Sequence, residues 1–240
     1  MAKIQQRLLR IGQRTSEQVK LGMAGSHEDY WRLRLEKCKR ALGENHFEAF
    51  LADSPVSARD IIMGEIVPKV GVKSASWGDS MTLHSTGILN DLKRAPDIHV
   101  IETFDNAVSR EEIIERRRKA LLVDLFLTGT NAITETGQLV NLDMVGNRVA
   151  GITFGPRNVV IVVGRNKIVA DIHEAMQRIK NFSAPANAIR HPGLKTPCIK
   201  TSRCMDCKSP DRICNSWMIT EKSFPKGRIK VVLINQDLGL

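Results

Sequence analysis

Four of the five cysteines of this 240-residue chain crowd into one short segment, Cys198, Cys204, Cys207 and Cys214, with a C-x5-C-x2-C-x6-C spacing. Thiolates so placed can converge on a tetrahedral zinc ion or ligate a [4Fe–4S] cluster. Lys195, Lys200, Arg203, Lys208 and Arg212 surround them and favour the thiolate form. The N-terminus has no apolar stretch of signal-peptide length, and the longest purely aliphatic run, Val159–Val163, is far short of a membrane span. The chain therefore reads as cytoplasmic, where thiols stay reduced and a disulfide framework is the poorer reading. Structural zinc usually shows paired CxxC knuckles. Only Cys204 and Cys207 have that spacing, which tilts the choice toward iron–sulfur. Four unligated thiols are the plain alternative, and the distant Cys38 reads as a small packing residue.

Two further constellations could handle an anion. Trp77-Gly78-Asp79-Ser80-Met81-Thr82 ends a strand-like segment in a tight turn and opens a helix, so free backbone N–H groups and the hydroxyls of Ser80 and Thr82 could cradle a negative group. Simple N-capping by Asp79 or Ser80 is the competing reading. Between residues 128 and 169, Asn131, Glu135, Asn141, Asp143, Asn147 and Arg148 sit between hydrophobic segments, with Lys167 close behind. Polar residues at strand ends are where open α/β sheets bind ligands, although Asn and Asp also serve simply to terminate strands.

These residues need a scaffold. The sequence predicts helices near Pro55–Val67, over 81–92, at Ser109–Leu122 and at Asp171–Lys180, with Ser54 and Ser109 as caps. Strands are expected within Lys69–Trp77, at Ile98–Ile101, Leu121–Thr128, Ile133–Val140, Val149–Phe154, Asn158–Val163 and Ile229–Ile234. Strands alternating with helices imply an α/β fold with a mostly parallel sheet covered on both faces. Residues 1–45 read as an N-terminal helical arm of two helices, around Leu8–Leu21 and His27–Leu42, broken at Gly22, Gly25 and Ser26. The arm would pack on the main domain, residues 46–240, or on another subunit in a homodimer. The cysteine-rich segment 195–216 falls just before the last strand.

A net charge of +10 attracts anions without choosing among nucleic acid, coenzyme phosphates, organic acids and acidic proteins. Its densest run, Arg116-Arg117-Arg118-Lys119, follows Glu111, Glu112 and Glu115 on one helix, so pairing within that helix is expected. Aromatics make up only 5% of the chain, with one tyrosine, a thin stacking platform that argues against a nucleic-acid partner.

The runs TNAITETGQLVN and GNRVAGITFGPRNVVIVVGRNKIV, together with WGDSMTLHSTGILNDL and the final strand, resemble the LUD (lactate-utilisation) family over about residues 50–240. Within it, the cysteine segment resembles an insertion of single-domain, lactate-utilisation protein C-like members. The resemblance implies a three-layer α/β/α fold similar to the NagB/RpiA/CoA-transferase group, in which the turn matching Gly78, Asp79, Ser80 and Thr82 holds phosphate or carboxylate. Glu135-Thr136-Gly137 is similar to the Glu-x-Gly turn of the CoA transferases, which makes Glu135 a candidate nucleophile or base with Asp143 as its neighbour. The family is associated with iron–sulfur-dependent oxidation of L-lactate to pyruvate by several subunits. The expectation is a subunit that binds a small anionic substrate through the turn, Asn131, Asn147, Arg148 and Lys167, with iron–sulfur proteins as partners. With no dinucleotide fingerprint, no dinucleotide is expected. Two alternatives are a free-standing isomerase or acyl/CoA-transfer enzyme of the same fold, and a zinc-containing binding module.

Overall fold

Side-chain caps mark several helix starts. Ser54 accepts from the Ser57 N–H while the Ser57 hydroxyl answers the Ser54 N–H, a capping box with Pro55 at the first helical position. Ser80, Ser109 and Asp171 accept from the N–H groups of Leu83, Glu112 and Glu174. The computed structural model describes residues 16–240, with side chains from Gly25 onward. In chain order the elements begin α1 (Ser16–Glu44), β1 (Glu48–Ala52), α2 (55–70, including one π turn), β2 (Ser74–Trp77), α3 (Met81–Ser85) and α4 (Ile88–Arg94). Next come β3 (His99–Ile101), α5 (Arg110–Lys119), β4 (Leu125–Gly129), β5 (Ala132–Thr134), β6 (Leu139–Asp143), α6 (Asn147–Thr153) and β7 (Asn158–Gly164). The last are β8 (Ile168–Val169), α7 (172–189, again with a π turn), α8 (Cys198–Thr201), β9 (Ser216–Thr220) and β10 (Ile229–Ile234).

The aliphatic runs of β7 and β10 are apolar on both faces, and such strands must be covered on both. They pair at the centre of a six-stranded sheet of order β1-β10-β7-β4-β2-β3, with every neighbour parallel. Alternation divides their side chains. Val160, Val162, Val232 and Ile234 meet Ala58, Ile62, Ile66, Leu83, Ile88 and Leu92 of the helices between residues 55 and 94. Val159, Ile161, Val163, Val231 and Leu233 meet Leu35, Cys38 and Leu42 of α1 and Ile133 and Leu139 of a second sheet. That sheet, of order β8-β5-β6-β9, is mixed and packs its other face on Ala175 and Ile179 of α7. The fold is thus α/β with a mostly parallel sheet, as expected.

Three expectations about single elements are corrected. The segment Val149–Phe154 is not a strand but lies largely within α6. Gly146 takes φ 94° just ahead of it, and Arg148, Gly151 and Ile152 are buried at helical spacing. A short apolar run fits either period until its partners are known. The helix expected over 81–92 is two helices, separated at Gly87 with φ 74°. Residues 16–44 form one unbroken helix through Gly22 and Gly25, where two glycines cost about 1 kcal/mol each. Leu35, Cys38 and Leu42 lock its second half into the core, which outweighs that cost. The apolar positions Leu8, Leu9 and Ile11 lie outside the described residues, as do the side chains of Val19 and Leu21. No described helix is long and apolar enough to cross a membrane.

Anchoring by the second half of α1 predicts unequal truncations. Leu42→Ala, at a fully buried position, should lower unfolding free energy by about 3 kcal/mol in urea titration, while Leu33→Ala on the exposed face shifts it by less than about 0.5 kcal/mol. Equal effects would mean that α1 does not belong to the core.

Candidate functional site

Because β2, β4 and β7 run parallel, their carboxyl ends meet at one edge of the sheet, where open α/β folds place ligands. Asp79 and Ser80 follow β2, Thr130 and Asn131 follow β4, and Lys167 follows β7. Together with Asp143, Asn147 and Arg148 they line a cleft of ≈ 420 Å³. Only glycine allows this meeting of chains, since a Cβ on Gly129 would stand 2.4 Å from Ser80 Oγ. Gly78 and Thr82 lie behind the wall: Gly78 N–H continues the pairing to Leu127 O at 2.9 Å, and Thr82 is fully buried. The Ser80 hydroxyl accepts from Leu83 N–H at 3.2 Å, so it caps the five-residue helix α3.

Arg148 is expected to help bind the anion, but its guanidinium is already engaged. Nη1 donates to Asn141 Oδ1 (2.7 Å) and Gly129 O (3.3 Å), and Nη2 to Asn131 Oδ1 (2.9 Å) and Leu142 O (3.0 Å). Its Nε faces Asp143 Oδ1 at 3.6 Å. Arg148 therefore builds the floor rather than reaching into the space above it. Arg178 is fastened in the same manner to Asn131 O, Asn166 O and Ser183 Oγ.

Lys167 is different. It is buried, and its Nζ donates to Thr82 Oγ1 (3.0 Å) and Thr130 O (3.3 Å), with no carboxylate partner among the described residues. Burial first, then the charges of Arg178 and Arg148, bring its ammonium down to about 7. Arg117, on α5, also lines the cleft: its Nε is buried without a hydrogen-bond partner, and its guanidinium stacks on Phe104 at 5.4 Å. Burial pulls it below the usual arginine range, opposed by Asp143 and Asp79. Arg190 on the cleft wall pairs with Asp79. An incoming anion thus meets two cations that no carboxylate pairs among the described residues, Lys167 and Arg117.

Sequence reasoning missed Arg117 and Arg190. Arg116 and Arg118 do pair within α5, with Glu112 and Glu115, but Arg117 between them turns to the cleft. Nothing local separates it from its neighbours. Glu135 lies away from the cleft, in the β5–β6 turn, bound to Arg34 (2.9 Å) and Lys37 (2.6 Å) of α1. Asp143 sits at the opposite end of β6, on the cleft, so the two carboxylates do not form a working pair. Beside Glu135, burial and then its charge raise the Cys38 thiol to about 12, in keeping with a packing role.

The four clustered cysteines are free thiols lining a single small cavity of ≈ 20 Å³. Arg212 holds the loop by donating to Cys207 O (2.7 Å) and Cys214 O (2.9 Å), and Lys180 pairs with Asp206. Among the described residues no three thiols, imidazoles or carboxylates are drawn close enough to ligate an ion directly. What the four residues share is that cavity, and thiols are the donor type that a thiolate-bound metal would require. Ile213 lines both this cavity and the cleft.

A family model described as "LUD domain" matches residues 35–234. A solved structure described as a DUF162 family protein from Deinococcus radiodurans is 15% identical, covers 86% of this chain and 98% of its own, and superposes with a TM-score of 0.41. No curated protein matches.

Two variants test this account of the site. The unfolded lysine keeps its proton up to about 10.5 while folded Lys167 releases it near 7, so stability rises with pH between those values and the burial penalty is complete below them. Lys167→Met should therefore exceed wild type by roughly 2–4 kcal/mol at about pH 6, and this advantage should shrink toward about pH 10 in urea unfolding. A pH-independent difference would contradict an unpaired buried amine. Glu135→Gln should cost about 1–3 kcal/mol by leaving Arg34 unpaired, with anion affinity at the cleft unchanged.

Proposed function

The chain belongs to the LUD-domain family, and from that premise we propose that it is the carboxylate-binding subunit of an iron–sulfur-dependent system oxidising L-lactate to pyruvate. The observation that carries this reading is Lys167, a cationic group without a carboxylate partner among the described residues, beside the carboxyl ends of parallel strands. With Arg117 it supplies the two positive contacts that a small carboxylate needs, and the engaged guanidinium groups of Arg148 and Arg178 add a positive background.

Lactate oxidation yields pyruvate, two protons and two electrons. On this reading the electrons leave through iron–sulfur partner subunits, and Cys198, Cys204, Cys207 and Cys214 hold a metal centre beside the cleft. A cluster bound there would supply one-electron transfer, while zinc would only brace the loop. Lys180 and Arg212 offset the negative charge of such a thiolate centre. The room in the cleft exceeds what a three-carbon acid fills, which favours a sugar phosphate or CoA thioester as the second reading. That reading loses its expected nucleophile, because Glu135 is held by α1 outside the cleft.

Thermal-shift titration separates them. L-lactate or pyruvate at about a hundredfold over Kd should stabilise the protein by about 2.7 kcal/mol, and the effect should vanish in Arg117→Met and Lys167→Met. Stabilisation by sugar phosphates or CoA thioesters alone would move the assignment to isomerase or transferase chemistry. Protein purified without oxygen should be brown, with absorption near roughly 400 nm that Cys204→Ser abolishes. A colourless, zinc-loaded protein would remove the electron-transfer role from the cysteine segment.

A further inference from the structure

Resting on the carboxylate-binding reading of the cleft, we propose that Lys167 is the residue on which an α-oxo acid condenses, as a protein-bound iminium that the corresponding hydroxy acid cannot form. Two of the described lysines are buried, Lys167 and Lys230. Lys230 is anchored between Asn158 Oδ1 and Gly227 O, both at 2.7 Å, and takes no part in the cleft lining. Lys167 lines the cleft and contacts two oxygens, Thr82 Oγ1 and Thr130 O, which leaves one of three ammonium hydrogens unengaged. Its other flank is closed by the chain itself: a Cβ on Gly239 would lie 3.0 Å from Nζ and 2.5 Å from Thr82 Oγ1. The amine is therefore held by Thr82, Thr130 and the backbone at Gly239, on a residue that lines the cleft.

The surroundings suit a nucleophile. Among the described residues no carboxylate pins the ammonium, and Arg148 and Arg178, each tied to carbonyl oxygens, contribute positive charge that cannot be titrated away. Desolvation beside cationic groups is a general means of activating a lysine amine, and here a large fraction is neutral near pH 7. In the condensation the nitrogen attacks the C2 carbonyl carbon, the N–C bond forms and the carbonyl C–O bond breaks. Counted from the ammonium, nitrogen passes two protons to the departing oxygen, so lysine and oxo acid give iminium and water with nothing oxidised or reduced. The α-carboxylate brings the countercharge that the cationic iminium requires among arginines.

The test is reductive trapping on the full chain. Wild type is incubated with pyruvate, with glyoxylate or with L-lactate, then reduced with cyanoborohydride, digested and mapped by mass spectrometry. Both oxo acids should leave an N-carboxyalkyl adduct on Lys167, at least about tenfold above any surface lysine, since an ordinary amine is almost wholly protonated there. L-lactate should leave none, and Lys167→Met, which removes the amine without adding a buried charge, should abolish the adduct while melting no lower than wild type. No adduct on Lys167, or one no greater than on an exposed lysine such as Lys200, overturns the proposal. Calorimetric binding of pyruvate without an adduct would remove the covalent step and leave the carboxylate reading standing, whereas neither binding nor adduct would remove both.

Discussion

One buried guanidinium holds the site together. Arg148 binds the end of β4 through Gly129 O, the link between β4 and β5 through Asn131 Oδ1, and β6 through Asn141 Oδ1 and Leu142 O. Withdrawing it would leave four acceptors without that donor at about 1–3 kcal/mol each, and would remove its ties between the small sheet and the large one. Lysine could not replace it, since only the planar fork presents several donors in fixed directions. Asp143 at 3.6 Å offsets part of the buried charge. The cleft has a defined floor because this cation is fully engaged.

The same edge of the sheet thus holds cations of two kinds. Arg148 and Arg178 are fastened to carbonyl oxygens and act as fixed positive charges. Lys167 and Arg117 have no carboxylate partner among the described residues, and they remain for a ligand. Acidic residues are divided as well. Glu135 joins the hairpin to α1, whereas Asp79 and Asp143 stay on the cleft, where they steady Arg190 and Arg148. Placement rather than residue type decides which charge builds and which one binds.

Much of this was legible in the sequence where a local rule governs the outcome. The aliphatic runs of β7 and β10 can only be central strands, and Ser54, Ser109 and Asp171 announce helices through short-range hydrogen bonds. The polar residues after β2, β4 and β7 had to gather once those strands ran parallel, and the family resemblance in the central run agrees with the match over 35–234. Outcomes that depend on distant partners were not legible. Val149–Phe154 lies largely in a helix that packs close to the Phe126 ring at Gly151, where an added Cβ would stand 3.0 Å away. The partners of Glu135 lie about a hundred positions earlier in the chain, and Arg117 reaches the cleft from a helix whose other arginines pair locally. The short edge strand β1 and the strand β9 carry no pattern that separates them from loops.

Keeping an uncompensated amine inside the protein couples two opposing trends. Above neutrality Lys167 sheds its proton and the empty protein grows more secure. An anion settling beside that nitrogen favours the protonated form and must draw a proton in with it, so its grip slackens over the same alkaline range. Firmness of the scaffold and hold on the guest therefore respond to acidity in opposite directions, through a single nitrogen atom.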